Sequence, residues 1–245
     1  MTTPMLQALI FDVDGTLADT ERAHLDAFNH AFRAVGLDWH WDLERYTELL
    51  ATCGGKERIR AYWESLPDAP RAIDALAFEH EISRIHEIKT AAYEQAVRDG
   101  QVQMRPGVLA LMAAAADAGL RLAIATTTSA SNVSALLRRA LGADWRSRFA
   151  AIEDASTAAA KKPDPQAYRQ ALRRLGLPAS ACVAFEDSRN GLRAALGAGL
   201  ATIVTPNEFT RRHDFVGALR VLPSLESVTP ERLRGWHAER AMQAA

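Results

Sequence analysis

Gln7–Gly15 reads QALIFDVDG, and this stretch decides the fold. Gln7–Phe11 is a short apolar run, not an alternating one. It predicts a short strand buried on both faces, as in a parallel sheet. The run stops at Asp12. Asp12 and Asp14 stand two residues apart where the strand runs out, so both carboxyls can point the same way. Gly15 lets the chain turn sharply behind them. In open α/β sheets ligands bind beyond the carboxyl ends of the strands, which is where this acid pair falls.

Four later segments have the same form: Arg121–Thr126, Phe149–Ile152, Ala181–Phe185 and Ala201–Val204. Helical patterns separate them. Pro106 and Gly107 open one over Val108–Ala118. Ser131–Leu141 carries Val133, Leu136 and Leu137 on one face. Pro165 opens Gln166–Leu175, which Gly176 closes. Strands alternating with helices of this length predict an α/β fold with a parallel sheet flanked by helices.

From about Thr20 to Asp99 the pattern changes. Ala23, Ala27, Phe28, Ala31, Phe32 and Val35 follow helical spacing up to Gly36, Tyr46 with Leu49 and Leu50 starts another helix, and Ile73–Val97 reads as one or two longer ones. The chain thus divides into an α/β core, 1–19 and 99–245, and an all-helical domain, 20–98, inserted after the first strand. Trp39, Trp41, Trp63, Tyr46, Tyr62 and Tyr93 fall in the insertion. They read as its small core, the alternative being that Trp39 or Trp41 lines a ligand cleft. Pro230–Ala245 reads as an amphipathic helix covering the sheet edge.

Composition narrows the function. The 245 residues are 48% hydrophobic with a net charge of −1, which gives no electrostatic case for nucleic acid or an anionic membrane. The first basic residue is Arg22, so the start does not read as a secretory signal. The longest uncharged stretch, Leu122–Leu137, contains seven Ser, Thr or Asn residues and is too polar for a membrane span. Cys53 and Cys182 lie far apart with no Cys/His cluster, as expected of free thiols in a reducing cytoplasm. No coiled-coil pattern or long apolar surface stripe is evident, so the expectation is a monomer. Only four of 29 basic residues are lysine: Lys56, Lys89, Lys161 and Lys162.

The acid pair after the first strand has a counterpart. The segment ACVAFED places Glu186 and Asp187 at the end of another strand, on the same sheet edge. Crowded carboxylates repel unless they share a cation, and Mg2+ is the natural one. Thr126, Thr127 and Thr128 follow a third strand, where hydroxyls and free N–H groups suit phosphate oxygens. Lys162, directly before Pro163 in a polar loop, offers a compact positive charge for a phosphoryl group.

In this order FDVDGTLADT, IATTTS, KKPDP and FEDSRNG resemble the four motifs of the haloacid dehalogenase superfamily, over nearly the whole chain. The branch containing β-phosphoglucomutase, phosphoglycolate phosphatase and CbbY is the most similar. GLDWHWDLERYTELLATCGGKERI and EDSRNGLRAALGAGL resemble the CbbY group most. The resemblance implies a Rossmann-like core with a helical cap, and a Mg2+-dependent phosphatase that converts xylulose 1,5-bisphosphate to xylulose 5-phosphate and phosphate. Asp12 would be the nucleophile and Asp14 the general acid and base. Asp12, the Asp14 backbone carbonyl and Asp187 would hold the ion, with Glu186 touching it or one step behind. Thr126, Thr127 and Lys162 would hold phosphoryl oxygens; Lys162 is preferred to Lys161 because the family pattern puts lysine directly before proline. The cap would close over the site.

For the substrate, the resemblance points to Glu21, His24 and Lys89. Gly54, Gly55, Lys56 and Arg58 form a glycine pair at a helix start followed by two cations, suited to a second phosphate or sugar hydroxyls. Asn132 and Arg189 are further candidates. A phosphomutase of the β-phosphoglucomutase kind and a phosphoglycolate phosphatase share the catalytic residues and stay open at this point. A catalytically silent sugar-phosphate sensor would not need both Asp12 and Asp14.

Overall fold

The computed structural model describes residues 5–66 and 75–243. The chain forms two compact units, Met1–Asp19 with Gln103–Ala245, and Thr20–Val102. In chain order the elements are β1 (Ala8–Phe11), α1 (Glu21–Ala34), α2 (Leu43–Leu49), α3 (Gly55–Glu64), α4 (Ala75–Arg98), α5 (Val108–Asp117), β2 (Arg121–Ala125), α6 (Ala130–Leu141), β3 (Ala151–Glu153), α7 (Gln166–Leu175), β4 (Cys182–Glu186), α8 (Arg189–Gly197), β5 (Ala201–Val204), β6 (Arg220–Val221) and α9 (Pro230–Gln243).

In the first unit the strands form one parallel sheet in the order β3-β2-β1-β4-β5-β6. The chain leaves β1 toward β2 on one side and β4 on the other, so β1 lies at the topological switch point. Register then decides which residues meet. Phe11 pairs with Ile124 of β2 and with Phe185 of β4. The next residues, Asp12, Ala125 and Glu186, therefore reach one edge together, with Thr126 and Asp187 one step beyond.

Both sheet faces are buried, which is why the strands read as continuous apolar runs. On one face Ala8, Ile10, Ala123, Ala125 and Ala184 pack with Tyr168, Ala171 and Leu172 of α7. The small side chains on the sheet leave room for a helix bearing a tyrosine. On the other face Phe11 and Phe185 stack with ring centroids 4.7 Å apart.

Strand edges differ from expectation by one or two residues. Phe149 and Ala150 precede β3, and Glu186 is the last residue of β4. β6 is not foreseeable from an apolar run, because it is two residues long and one is arginine. Backbone pairing makes it a strand: Leu219 N donates to Thr202 O at 2.7 Å and Leu222 N to Val204 O at 2.8 Å. α9 lies against this edge strand, with Arg220 hydrogen-bonded to Glu239 and over the Trp236 ring. The expected helix over 230–245 is described as far as Gln243.

Among the described residues, the regular elements of the second unit are all helices. α4 begins at Ala75, and Ile73, where the spacing starts, lies outside the described residues. An aromatic core holds the helices together. Trp41 is fully buried among Phe28, Phe32, Tyr46 and Tyr62. Its backbone is clipped from both sides by Asn29, whose Nδ2 donates to Trp41 O and whose Oδ1 accepts from Trp41 N, each at 2.8 Å. Trp39 packs edge-on against Phe32, Tyr62 and Trp63. Both indoles are thus core elements, Trp41 wholly so, and the ligand-cleft alternative does not hold for it.

Candidate active site

The acids at the sheet edge form a buried cluster. Asp12, Glu186 and Asp187 each bring a carboxylate oxygen to within 4.8 Å of the others. Lys162 joins them: its Nζ donates to Asp12 Oδ1 and to Glu186 Oε1, both at 2.6 Å. Tyr168 Oη donates to the same Glu186 oxygen at 2.6 Å, and the Lys162 ammonium sits 5.0 Å from the Tyr168 ring centroid. One oxygen of Glu186 thus gathers an ammonium and a phenol.

Charge and burial oppose each other here. Burial pushes the Asp12 carboxyl up, to about 7, against the pull of Lys162, and the neighbouring charges of Glu186 and Asp14 push the same way. Burial alone would lower the Lys162 ammonium, but Asp12 and Glu186 outweigh it and hold the lysine above its usual range. The Tyr168 phenol is raised well above normal, first by burial and then by Glu186, so it stays a donor.

Two glycines let the parts approach. Gly15 has φ +76°, and a Cβ there would collide with the Asp187 carboxylate. A Cβ on Gly191, in the first turn of α8, would collide with the Glu186 carboxylate. Asn207, in the loop after β5, donates from Nδ2 to Asp187 Oδ2 at 2.8 Å.

Asp14 is placed differently from the other three acids. Its Oδ2 accepts a hydrogen bond from the Thr128 hydroxyl, beyond the end of β2. Thr126 is buried. Its N–H continues the sheet ladder to Glu153 O at 3.0 Å, and its Oγ1 accepts from Thr128 N at 3.3 Å. Thr127 is half-buried and its carbonyl accepts from Lys161 at 3.4 Å. Asn132, near the start of α6, is buried, and its Oδ1 has no hydrogen-bond partner among the described residues. Arg189 faces solvent.

The donor set suits a hard divalent cation: three carboxylates, all oxygen, close together and buried, with Asp12 raised first by that burial and then by Glu186. A cation would offset the cost of burying the Asp12 charge, which Lys162 offsets only in part.

In the helical unit the substrate candidates fall into two groups. Glu21 Oε2 accepts from Tyr46 Oη at 2.6 Å, and Arg58 Nη1 donates to the same hydroxyl at 3.1 Å, with the guanidinium 5.1 Å from the Tyr46 ring centroid. The second group centres on Lys89, which is buried. Its Nζ lies 2.8 Å from His24 Nδ1, 5.0 Å from the Phe28 centroid and 5.4 Å from that of Tyr93, on which the His24 ring stacks. An ammonium has no acceptor, so His24 Nδ1 accepts. Gly54 has φ +99° at the start of α3, and a Cβ on Gly55 would lie 2.7 Å from the His86 ring, so Gly55 lets α3 come close to α4. Lys56 stands apart from both groups. It is exposed and donates to Ser83 Oγ at 3.0 Å.

The sequence reading does not mark Tyr46, Tyr168 or Asn207 as site residues, and it offers Thr128 only as a phosphate contact beside Thr126 and Thr127, not as the partner of Asp14. Tyr168 had a signal. It lies three residues after Pro165, one helical turn into a helix that begins beside Lys162. Tyr46 and Asn207 meet their partners over 25 and 20 residues, and no local spacing marks such contacts.

Known proteins match both sequence and fold. The sequence pattern of the haloacid dehalogenase-like hydrolases matches residues 6–199. The chain is 56% identical over 220 residues to the plasmid-borne protein CbbY of Cupriavidus necator, covering 90% of this chain and 86% of that one. A phosphorylated carbohydrates phosphatase of Thermotoga maritima is 30% identical over 199 residues, 81% of this chain and 84% of that one. A crystal structure of a CbbY mutant from Rhodobacter sphaeroides in complex with xylulose-(1,5)bisphosphate aligns with TM-score 0.84 at 47% identity, covering 91% and 96% of the two chains. No helix among the described residues is long and apolar enough to cross a membrane. The chain therefore belongs to the haloacid dehalogenase-like hydrolases and is a CbbY-like phosphatase of that family.

Proposed function

We propose that this protein is a Mg2+-dependent sugar-bisphosphate phosphatase working through an aspartyl-phosphate, with xylulose 1,5-bisphosphate as substrate and xylulose 5-phosphate and phosphate as products. The observation that carries the chemistry is Lys162 bonded at once to Asp12 and Glu186 inside a buried acid cluster. The substrate assignment is supported by the bisphosphate held by the Rhodobacter sphaeroides relative.

An Asp12 carboxylate oxygen attacks phosphorus, and the bond from phosphorus to the sugar oxygen breaks. Asp14, held apart from the acid cluster by Thr128, gives its proton to the departing sugar oxygen. Water then attacks the acyl phosphate while Asp14 takes back a proton, and Asp12 is regenerated as phosphate leaves. Lys162 neutralises charge on the transferring group, and the Thr126 hydroxyl donates to it. Mg2+ would be held by Asp12 and Asp187, with Glu186 beside it, and would supply positive charge to the phosphoryl oxygens. Arg58 with Tyr46 and Glu21, and Lys89 with His24, are the substrate-binding groups of the helical unit.

Phosphate release from xylulose 1,5-bisphosphate, ribulose 1,5-bisphosphate, hexose phosphates and phosphoglycolate, each with Mg2+, tests this. The expected result is fastest release from xylulose 1,5-bisphosphate, and none from Asp12→Asn. Faster turnover of phosphoglycolate, or phosphate moved between sugar hydroxyls without release, would overturn the substrate or the reaction.

A further inference from the structure

Arg105 is a buried arginine that the chemistry above leaves without a task. Its guanidinium is surrounded by backbone carbonyls. Nη1 donates to Gly15 O and to Thr205 O, each at 2.5 Å, and to Thr205 Oγ1 at 3.1 Å. Nη2 donates to Pro206 O at 2.9 Å, and Nε lies 3.4 Å from Asp19 Oδ1. Its own N–H donates to Leu17 O at 2.8 Å.

These contacts join two loops of the acid site. One is the turn that begins Asp12-Val13-Asp14-Gly15. The other is Thr205-Pro206-Asn207, whose Asn207 holds Asp187. Gly15 and Asp187 already approach so closely that a Cβ on Gly15 would collide with the Asp187 carboxylate. The separation of these loops therefore sets where Asp187 stands relative to Asp12 and Asp14. A planar fork with donors on three nitrogens can tie carbonyls from both loops at once. A lysine, with three donors radiating from one point, cannot match that pattern.

We infer that Arg105 is a positioning residue for phosphoryl transfer: its guanidinium locks the Asp12–Gly15 turn against the Thr205–Asn207 loop and so fixes the spacing of the nucleophile, the acid and Asp187. This rests on the reading of Asp12 as nucleophile and Asp187 as cation ligand. A shift of about 1 Å in such a group costs up to about 100-fold in rate, and outer contacts of metal ligands are worth about 10- to 100-fold in affinity.

Arg105→Ala and Arg105→Lys in the full-length protein test it. Both variants should lose about 10- to 100-fold in kcat with KM within about twofold, and should bind Mn2+ about tenfold more weakly by electron paramagnetic resonance without substrate. Guanidinium chloride at non-denaturing concentration should restore part of both losses in Arg105→Ala, and equal sodium chloride should not. A lowered melting temperature with unchanged kcat and Mn2+ affinity would overturn the proposal, as would recovery that salt reproduces. Should Arg105→Ala fail to fold, Arg105→Lys with wild-type kcat and Mn2+ affinity overturns it equally. The Mn2+ readout needs no substrate. A wild type that binds Mn2+ but releases no phosphate sinks the phosphatase reading and leaves Arg105 to be judged on the cation.

Discussion

Lys162 and Asp12 form a charge pair inside the protein, with Nζ 2.6 Å from Oδ1 and both side chains buried. Such a pair is weak as a source of stability, yet removing one partner is costly, about 3–5 kcal/mol, because the other charge stays buried. In Lys162→Met, Asp12 and Glu186 both lose their ammonium. The variant should lose at least about 100-fold in kcat, the scale of one lost charge stabiliser, and should melt lower. Lys161→Ala should stay within about threefold, because Lys161 is half-buried and its contact to Thr127 O is a long 3.4 Å. Phosphate release by the two variants decides it, and equal losses would refute the assignment.

Gly191 gives a test in which two effects have opposite signs. It lies in α8, where alanine is favoured over glycine by about 1 kcal/mol. A Cβ there, however, would strike the Glu186 carboxylate. Glu186 is held by Lys162 and Tyr168 and has little freedom to retreat. Gly191→Ala should therefore destabilise the fold by about 1–3 kcal/mol and reduce kcat. Thermal melting with an activity assay checks this; a variant more stable and fully active would show that Glu186 can move without consequence.

The strand-end acids were legible because their signal is local. An apolar run stopping at Asp12, and another stopping at Glu186 and Asp187, announce a parallel sheet edge with charge on it. The register that sets Phe11 opposite Phe185 then leaves little freedom in where those acids meet. Arg105 and Asn207 were not legible as site residues, since each acts through a partner distant in sequence, and Tyr168 was marked only by its place one helical turn after Pro165. The two-residue β6 lacked any apolar run to show it. The sequence pattern picks Lys162 over Lys161 but does not rank Lys56 against Lys89, and burial does: Lys162 and Lys89 are inside, Lys161 is half-buried and Lys56 is exposed.

Lys89 and Lys56 should accordingly respond differently to arginine. Lys89 sits between His24, Phe28 and Tyr93, a space filled by one ammonium. A guanidinium is broader and planar, so Lys89→Arg keeps the charge but displaces the rings. It should raise KM for the bisphosphate by about tenfold, the effect of losing one good polar contact, and more than it lowers kcat. Lys56→Arg, on an exposed face, should change either constant less than about twofold. A Lys89→Arg enzyme with wild-type KM would remove Lys89 from the substrate site.

Cation binding should carry the signature of the raised Asp12 carboxyl. Its ordinary value is 3.8, and in the folded protein without a cation it stands at about 7, chiefly through burial. Between these values the native state keeps a proton that the unfolded state has released, so the cation-free protein loses stability as pH rises from about 4 to about 7. A divalent cation must displace that proton. Below about pH 7 its affinity should fall by as much as about tenfold per pH unit, and above it should level off. The rise in melting temperature caused by Mg2+ should thus be larger at pH 8 than at pH 6. A normal carboxylate would give no difference over that range, since it is ionised throughout. Asp12→Asn, which cannot take or lose the proton, should bind more weakly and show nearly the same shift at both values. A wild-type shift that is equal at pH 6 and pH 8 would mean that Asp12 is already ionised at pH 6, and that Lys162 compensates its burial fully.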